Sequence, residues 1–193
     1  MSGLVATPPD KPAFRARLRA LRRQLAARNP DAAEQAAAVL PLEKMPAFAC
    51  VSGYRALGAE LDPLPICRRL KATGAHFALP VALGRQSPLE FRAWEEGDPL
   101  VDDALGVPAP GPSARVLHPD VVITPLLAFD RRGGRLGQGG GHYDRSIANL
   151  RALKPVFVLG LAYAGQELPG IPMEPHDQRL DAILTETGYI EVG

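Results

Sequence analysis

The chain has 193 residues, with 22 Lys and Arg against 21 Asp and Glu and a formal net charge of +1, which excludes a globally basic nucleic-acid clamp and an acidic tail protein. At 46% hydrophobic and 22% charged residues the composition is that of a globular protein, long enough for one domain over 1–193 with a full core. Cys50 and Cys67 lie too far apart for a CxxC pair and are too few for a zinc site or a disulfide scaffold, the start of the chain lacks a signal pattern, and no apolar run approaches the roughly 18 residues of a membrane span. The expectation is a protein of the reducing cytoplasm with no membrane partner.

From Lys11 to Arg28, Phe14, Leu18, Leu21 and Leu25 recur at spacings of four, three and four, the stripe of an amphipathic helix. Asp10 is its expected cap, Pro12 is tolerated in the first turn because the amide hydrogen it lacks has no intrahelical partner, and Pro30 stops it. An Ala-rich helix is expected over 32–40, a buried strand over 48–54, and a helix over 64–72 ended by Gly74, the last two forming a βα unit. The runs 76–83 and 88–94 read as a hairpin or two neighbouring strands, and 97–112 as loop. DVVITPLLAF at 120–129 is strand-like and gives way abruptly to DRRGGRLGQGGGHYDR; a helix to about Leu153, a buried strand over 155–162 and a short strand over 182–185 complete the chain. Strands alternating with helices imply an α/β fold whose mainly parallel sheet is covered on both faces, with ligands bound beyond the carboxyl ends of its strands.

The most informative stretch is Arg135 to Arg145, RLGQGGGHYDR, with Gly137, Gly139, Gly140 and Gly141 placed between a strand and a helix. Without β-carbons the backbone can turn sharply and aim successive amide hydrogens at one point, to which the following helix adds its positive end; that point suits a phosphate. The pattern is neither the dinucleotide fingerprint, which needs glycine where His142 stands, nor a Walker loop, which needs Gly-Lys-Ser/Thr. A flexible connection is the plainer alternative. Asp144 and Arg145 fall on the helix's first turn, where a carboxylate can hold a magnesium ion bridged to phosphates, although a helix-capping Asp explains Asp144 taken alone. Asp177, in PMEPHDQRLD, is a second acidic candidate.

The first helix carries Lys11, Arg15, Arg17, Arg19, Arg22, Arg23 and Arg28 and no acidic residue. A solvated face is the common explanation for such a run, yet Lys11 and Arg15, at i and i+4, share a face and can both reach one triphosphate. Near-zero net charge and the lack of interleaved aromatics argue against nucleic acid. The four histidines show no metal-ligand spacing, no G-x-S-x-G elbow is present, and Phe91 and Trp94 read as core.

Together, KPAFR, YRALGAELD at 54–62, ITPLLAFDRRGGRLGQGGGHYDR and IPMEPHDQRLDAILTE resemble the 5-formyltetrahydrofolate cyclo-ligase family nearly end to end, most specifically from Pro125 to Arg145. The resemblance implies a three-layer α/β/α domain related to sugar-phosphate isomerase and CoA-transferase-like folds. It implies cyclisation of 5-formyltetrahydrofolate to 5,10-methenyltetrahydrofolate with ATP as co-substrate and magnesium as cofactor, by a monomer. Lys11 and Arg15 match phosphate-binding residues, and Arg135, Leu136, Gly137, Gln138, Gly139, Gly140, Gly141, His142 and Tyr143 match the nucleotide loop, with Gln138 to His142 also near the folate. Asp144 and Asp177 match magnesium positions, Glu60 and, less securely, Arg55 match folate contacts, and Tyr143 and Arg145 are the implied catalytic residues at the transferring phosphate. The chain departs from the family at His142, often aromatic, and at Gln138, often aromatic or Arg. Two other readings are an ATP-dependent enzyme acting on another N-formyl or amide compound, which Glu60 and its neighbours would discriminate, and a non-catalytic nucleotide- or RNA-binding regulator using the basic helix.

Overall fold

The computed structural model describes residues 10–193. The first helix, α1 (Lys11–Arg28), has the expected bounds: Asp10 Oδ1 accepts from the Ala13 amide at 3.0 Å and proline occupies the first turn. It is followed by α2 (Ala32–Val39), β1 (Cys50–Ser52) and α3 (Leu64–Lys71). Beyond α3 the chain turns through Gly74, whose φ of +95° is open to a residue without a β-carbon. Then come β2 (His76–Ala82), β3 (Leu89–Ala93), β4 (Leu100–Asp102), β5 (Pro108–Pro110), β6 (Val116–Leu117), β7 (Val121–Pro125), β8 (Ala128–Phe129) and β9 (Arg135–Leu136). The chain ends with α4 (His142–Leu153), β10 (Phe157–Leu161), β11 (Ala182–Thr185) and β12 (Gly188–Glu191).

Eight strands form the main sheet in the order β12-β11-β10-β7-β1-β2-β3-β6. The five central strands run parallel, and β12, β3 and β6 are added antiparallel at the edges. Strand periodicity of two divides their side chains between two layers. Val51, Val121, Ile123, Leu159, Leu161, Ala182 and Leu184 face α2 and α3, while Cys50, Val122, Val158 and Ile183 face Ile147 and Leu150 of α4. The fold is therefore a mainly parallel α/β sheet covered on both faces. Phe91 and Trp94 are buried, and Trp94 meets Phe77 edge-on at 5.9 Å.

Two expectations are corrected. The run 120–129 is not one strand: β7 stops at Pro125, where no amide hydrogen remains to continue a ladder, and β8 leaves to pair with β9 in a separate small sheet. The loop 97–112 contains the β4–β5 hairpin. Asp103 organises it, its carboxylate accepting from the amides of Leu105, Val107 and Ala82 at 2.8, 3.1 and 2.9 Å, a local pattern that hydrophobic periodicity does not report.

The chain moves from β1 to β2 in one direction along the sheet and from β7 to β10 and β11 in the other. The carboxyl ends of β1 and β7 therefore flank a topological switch point, where an open α/β sheet leaves a crevice.

Candidate active site

That crevice is a cleft of about 640 Å³, walled by the chain after β1 (Tyr54, Arg55, Glu60), the end of β7 (Leu126), the glycine loop and start of α4 (Gly137 to Asp144), the segment 168–177 and one side of α1. Its apolar lining includes Leu57, Pro80, Ala82, Leu89, Leu105 and Val107.

The charged side of α1 follows from helical spacing. Lys11, Arg15, Arg19 and Arg22 lie at i, i+4, i+8 and i+11, so all four side chains leave one face. Lys11 Nζ donates to Glu174 Oε1 at 2.8 Å, Arg15 Nε to the Gly137 carbonyl at 3.1 Å, and Arg19 Nε to Gln138 Oε1 at 3.0 Å. Arg22 Nη1 reaches Glu60 Oε1 at 3.4 Å and the Leu126 carbonyl at 3.2 Å. Arg17, Arg23 and Arg28 are exposed, as a solvated face predicts; Lys11 is exposed too but ion-paired with Glu174, Arg15 and Arg19 are partly buried, and Arg22 is buried. Arg19 and Arg22 escaped the sequence reading, although the same i+4 arithmetic that joined Lys11 to Arg15 extends to them.

The glycine loop has the geometry of an anion cradle. Gly139 and Gly141 adopt φ values of +102° and +65°, conformations strained for any residue with a β-carbon. The carbonyls of Gly137 and Gly140 are taken by Arg15 and by Arg145 Nη2, the latter at 2.7 Å. The amides of Gln138, Gly139, Gly140 and Gly141 donate to no acceptor among the described residues. The amino end of α4 follows with no side-chain cap, so its positive end faces the same loop. His142 Nδ1 donates to the Ser87 carbonyl at 3.0 Å, and its ring lies so near Gly140 that a β-carbon there would come within 2.7 Å of it.

Arg145 does not line the cleft. Its Nη2 donates to the Gly140 carbonyl of the glycine loop. Arg135 is buried beneath the site, with Nη2 on Asp144 Oδ1 at 2.8 Å, Nη1 on Thr124 Oγ1 at 3.3 Å and its guanidinium 5.7 Å from the centre of the Tyr143 ring. Burial, followed by the nearby Glu60 charge, raises the Tyr143 phenol well above its ordinary range against the pull of Arg135, so at neutral pH it is a protonated donor.

Asp144 and Asp177 approach from separate parts of the chain and both line the cleft. Asp144 Oδ1 also accepts from the Gln178 amide at 2.9 Å, and Asp177 Oδ2 from the Glu174 amide at 2.7 Å. Lys11, the 168–177 segment and α4 are thereby joined. Glu60 and Arg55 also line the cleft, and Arg55 is exposed. Every expected site residue except Arg145 thus lines one cleft.

Among known proteins, residues 7–186 match the model of the 5-formyltetrahydrofolate cyclo-ligase family. The chain is 35% identical over 143 residues to the 5-formyltetrahydrofolate cyclo-ligase of Escherichia coli K12, covering 70% of this chain and 76% of that one. It is 33% identical over 143 residues to the enzyme of the same name from Mycolicibacterium smegmatis, covering 70% and 72%. A 5,10-methenyltetrahydrofolate synthetase structure from Mycoplasma pneumoniae superposes with a TM-score of 0.70 at 20% identity over 92% of this chain and 99% of that one. The Aquifex aeolicus 5,10-methenyltetrahydrofolate synthetase also gives 0.70, at 22% identity over 93% and 91%. A family match that runs from before α1 to beyond β11, through every segment that walls the cleft, makes this chain a member of the 5-formyltetrahydrofolate cyclo-ligase family.

Proposed function

We propose that the protein is a cytoplasmic, monomeric, single-domain enzyme that converts 5-formyltetrahydrofolate and ATP to 5,10-methenyltetrahydrofolate, ADP and phosphate. The observation that carries the reading is the loop of amides from Gln138 to Gly141 that have no partner among the described residues, in the same cleft as Lys11, Arg15, Asp144 and Glu60.

A formamide oxygen is a poor leaving group, so it must first be activated. In the proposed reaction the formyl oxygen attacks the γ-phosphorus of ATP; the new O–P bond forms as the bond to the ADP oxygen breaks. N10 then attacks the activated carbon, loses its proton, and expels phosphate as the five-membered ring closes. Phosphoryl transfer of this kind needs little covalent chemistry from the protein and much positioning and charge neutralisation. The loop amides and the amino end of α4 bind phosphate oxygens. Lys11 and Arg15 add full positive charges, and the Tyr143 phenol donates a hydrogen bond near the transferring group. Arg135 holds Tyr143 and Asp144 in register through its stack and its ion pair. Arg145 acts through the loop by fixing the Gly140 carbonyl.

Magnesium fits the donors present, because Asp144 and Asp177 offer oxygen ligands alone, and this cation is commonly held by one or two carboxylates together with substrate phosphates and water. When bound it would neutralise charge on the phosphates. The apolar wall from Leu57 to Val107, ending at Glu60 and Arg55, suits a flat heterocycle with a polar edge. Lys11, Arg15 and Arg22 of α1 line the cleft, which favours this reading over a nucleic-acid regulator using the whole basic stripe.

The test is absorbance at the methenyl-folate band after mixing the protein with 5-formyltetrahydrofolate, ATP and magnesium, omitting each in turn. A rise that needs all three is expected. No rise from folded, ATP-binding protein would discard the folate substrate and keep the nucleotide loop.

A further inference from the structure

Arg22 is the cation of the α1 stripe that lines the cleft without a place in the proposed phosphate site. It lies one turn beyond Leu18 on the buried side of the helix, and both it and Glu60 keep only 7% of their side-chain surface exposed. Taking two charges out of water is costly, and a buried pair is retained only where its geometry or its role compensates. Here the geometry is modest. The contact to Glu60 Oε1 is 3.4 Å long, and Arg22 Nε is buried without a partner among the described residues. The same Arg22 Nη1 also donates to the Leu126 carbonyl at 3.2 Å, which accepts in addition from Gln166 Nε2 at 3.0 Å. Glu60 in turn accepts from the Leu57 amide through Oε2 at 3.0 Å. Each carboxylate oxygen thus has one protein donor and a further lone pair, on a group that lines the cleft.

We propose that Arg22 is a positioning residue, which holds Glu60 as a two-oxygen acceptor for paired, parallel N–H donors on the edge of a planar heterocycle. This rests on the folate reading, in which the pterin presents a ring N–H beside an exocyclic amino group, a donor pair matched to a carboxylate. Without the facing cation the effect of burial is less opposed, which favours the protonated carboxyl, and in that form one oxygen becomes a donor and clashes with that edge. The charged and titratable groups that bear on Glu60 are Arg22 from α1, Tyr54 from the chain after β1, and Tyr143 from α4.

The experiment is steady-state kinetics on the full chain, with KM for 5-formyltetrahydrofolate and for ATP measured separately in wild type, R22M, R22K, E60Q and R22M/E60Q. R22M is expected to raise the folate KM about tenfold, roughly 1.4 kcal/mol of binding, with the ATP KM within about twofold of wild type. R22K, which retains the charge, is expected to recover most of that loss, and R22M/E60Q to be no worse than E60Q. An unchanged folate KM in R22M, equal damage to both KM values, or multiplicative effects in the double variant would each overturn the proposal. If R22M fails to fold, R22K and the charge-free double variant decide it: a folate KM of R22K nearer to E60Q than to wild type, or a double variant worse than E60Q, overturns it. Absence of turnover in wild type would remove the folate reading itself, whereas wild-type turnover with an indifferent Arg22 removes this inference alone.

Discussion

Asp130 is 2% exposed and gathers three backbone donors on one carboxylate: Oδ1 accepts from Arg132 and Gly134 at 2.9 Å each, and Oδ2 from Ile171 at 2.7 Å. The first two close the β8–β9 turn, and the third ties in the segment that carries Asp177. In Asp130→Asn a single oxygen remains, so either the turn or Ile171 faces an amino group, donor against donor. A hydrogen bond to a charged group is worth about 1.5–3 kcal/mol and a stranded buried donor costs a similar amount, so the substitution should cost about 3 kcal/mol. Little room is left for a rescuing water, since a β-carbon at Gly134 would already lie 2.7 Å from Asp130 Oδ2. For a chain of this length the loss corresponds to a fall in Tm of roughly 6–12 °C. Calorimetry across pH tests the origin of the effect. Burial raises the Asp130 carboxyl, but the amides of Ile171, Gly134 and Arg132 more than offset it, leaving the folded pKa below the ordinary value of 3.8. The stabilisation is therefore present above about pH 4 and lost as pH falls through the depressed folded value, so wild type and variant should converge in acid. A variant melting within about 1 °C of wild type at pH 7 would refute the reasoning.

Lys11→Ala should raise the KM for ATP several-fold while leaving the melting curve in place, because its exposed pair with Glu174 is worth at most about 1 kcal/mol; wild-type ATP kinetics would remove Lys11 from the phosphate site. Gly139→Ala should cost about 1–3 kcal/mol of backbone strain at φ +102° and press on the Arg15 guanidinium, 3.1 Å from the new carbon. Its kcat/KM for ATP should fall, and unaltered ATP kinetics would count against the cradle. Asp144→Asn keeps an oxygen for Arg135 and Gln178, so circular dichroism should report a folded protein while most magnesium-dependent turnover is lost. Burial raises the Glu60 carboxyl above its ordinary range, an effect only partly opposed by the Leu57 amide and Arg22. Protonation removes its acceptor pair, so kcat/KM for folate should decline with falling pH at a value above that of a free glutamate, and Glu60→Gln should lack this acid limb.

Local periodicity and chain breakers alone determined α1, because the Phe14–Leu25 stripe, Asp10, Pro12 and Pro30 act within a few residues of one another. The same holds for the conformation of the glycine loop, whose missing β-carbons allow the positive φ values of Gly139 and Gly141 without any knowledge of the sheet. Short-range patterns carry no information on which distant groups meet. Whether an arginine of α1 ends in water, on Gly137 or against Glu60 depends on the reversal of strand order between β1 and β7, which brings residues 11–22, 54–60, 126, 137–144 and 168–177 to one crevice. Arg22 looked like one more member of a solvated basic run, and tertiary packing buries it against Glu60 and the Leu126 carbonyl. The break of 120–129 into β7 and β8 had a local sign in Pro125, but its partner, β9, was settled by the Asp130 turn that folds the chain back on itself. Side-chain type and spacing state what a residue can do, and the crossovers of the sheet decide which partner it meets.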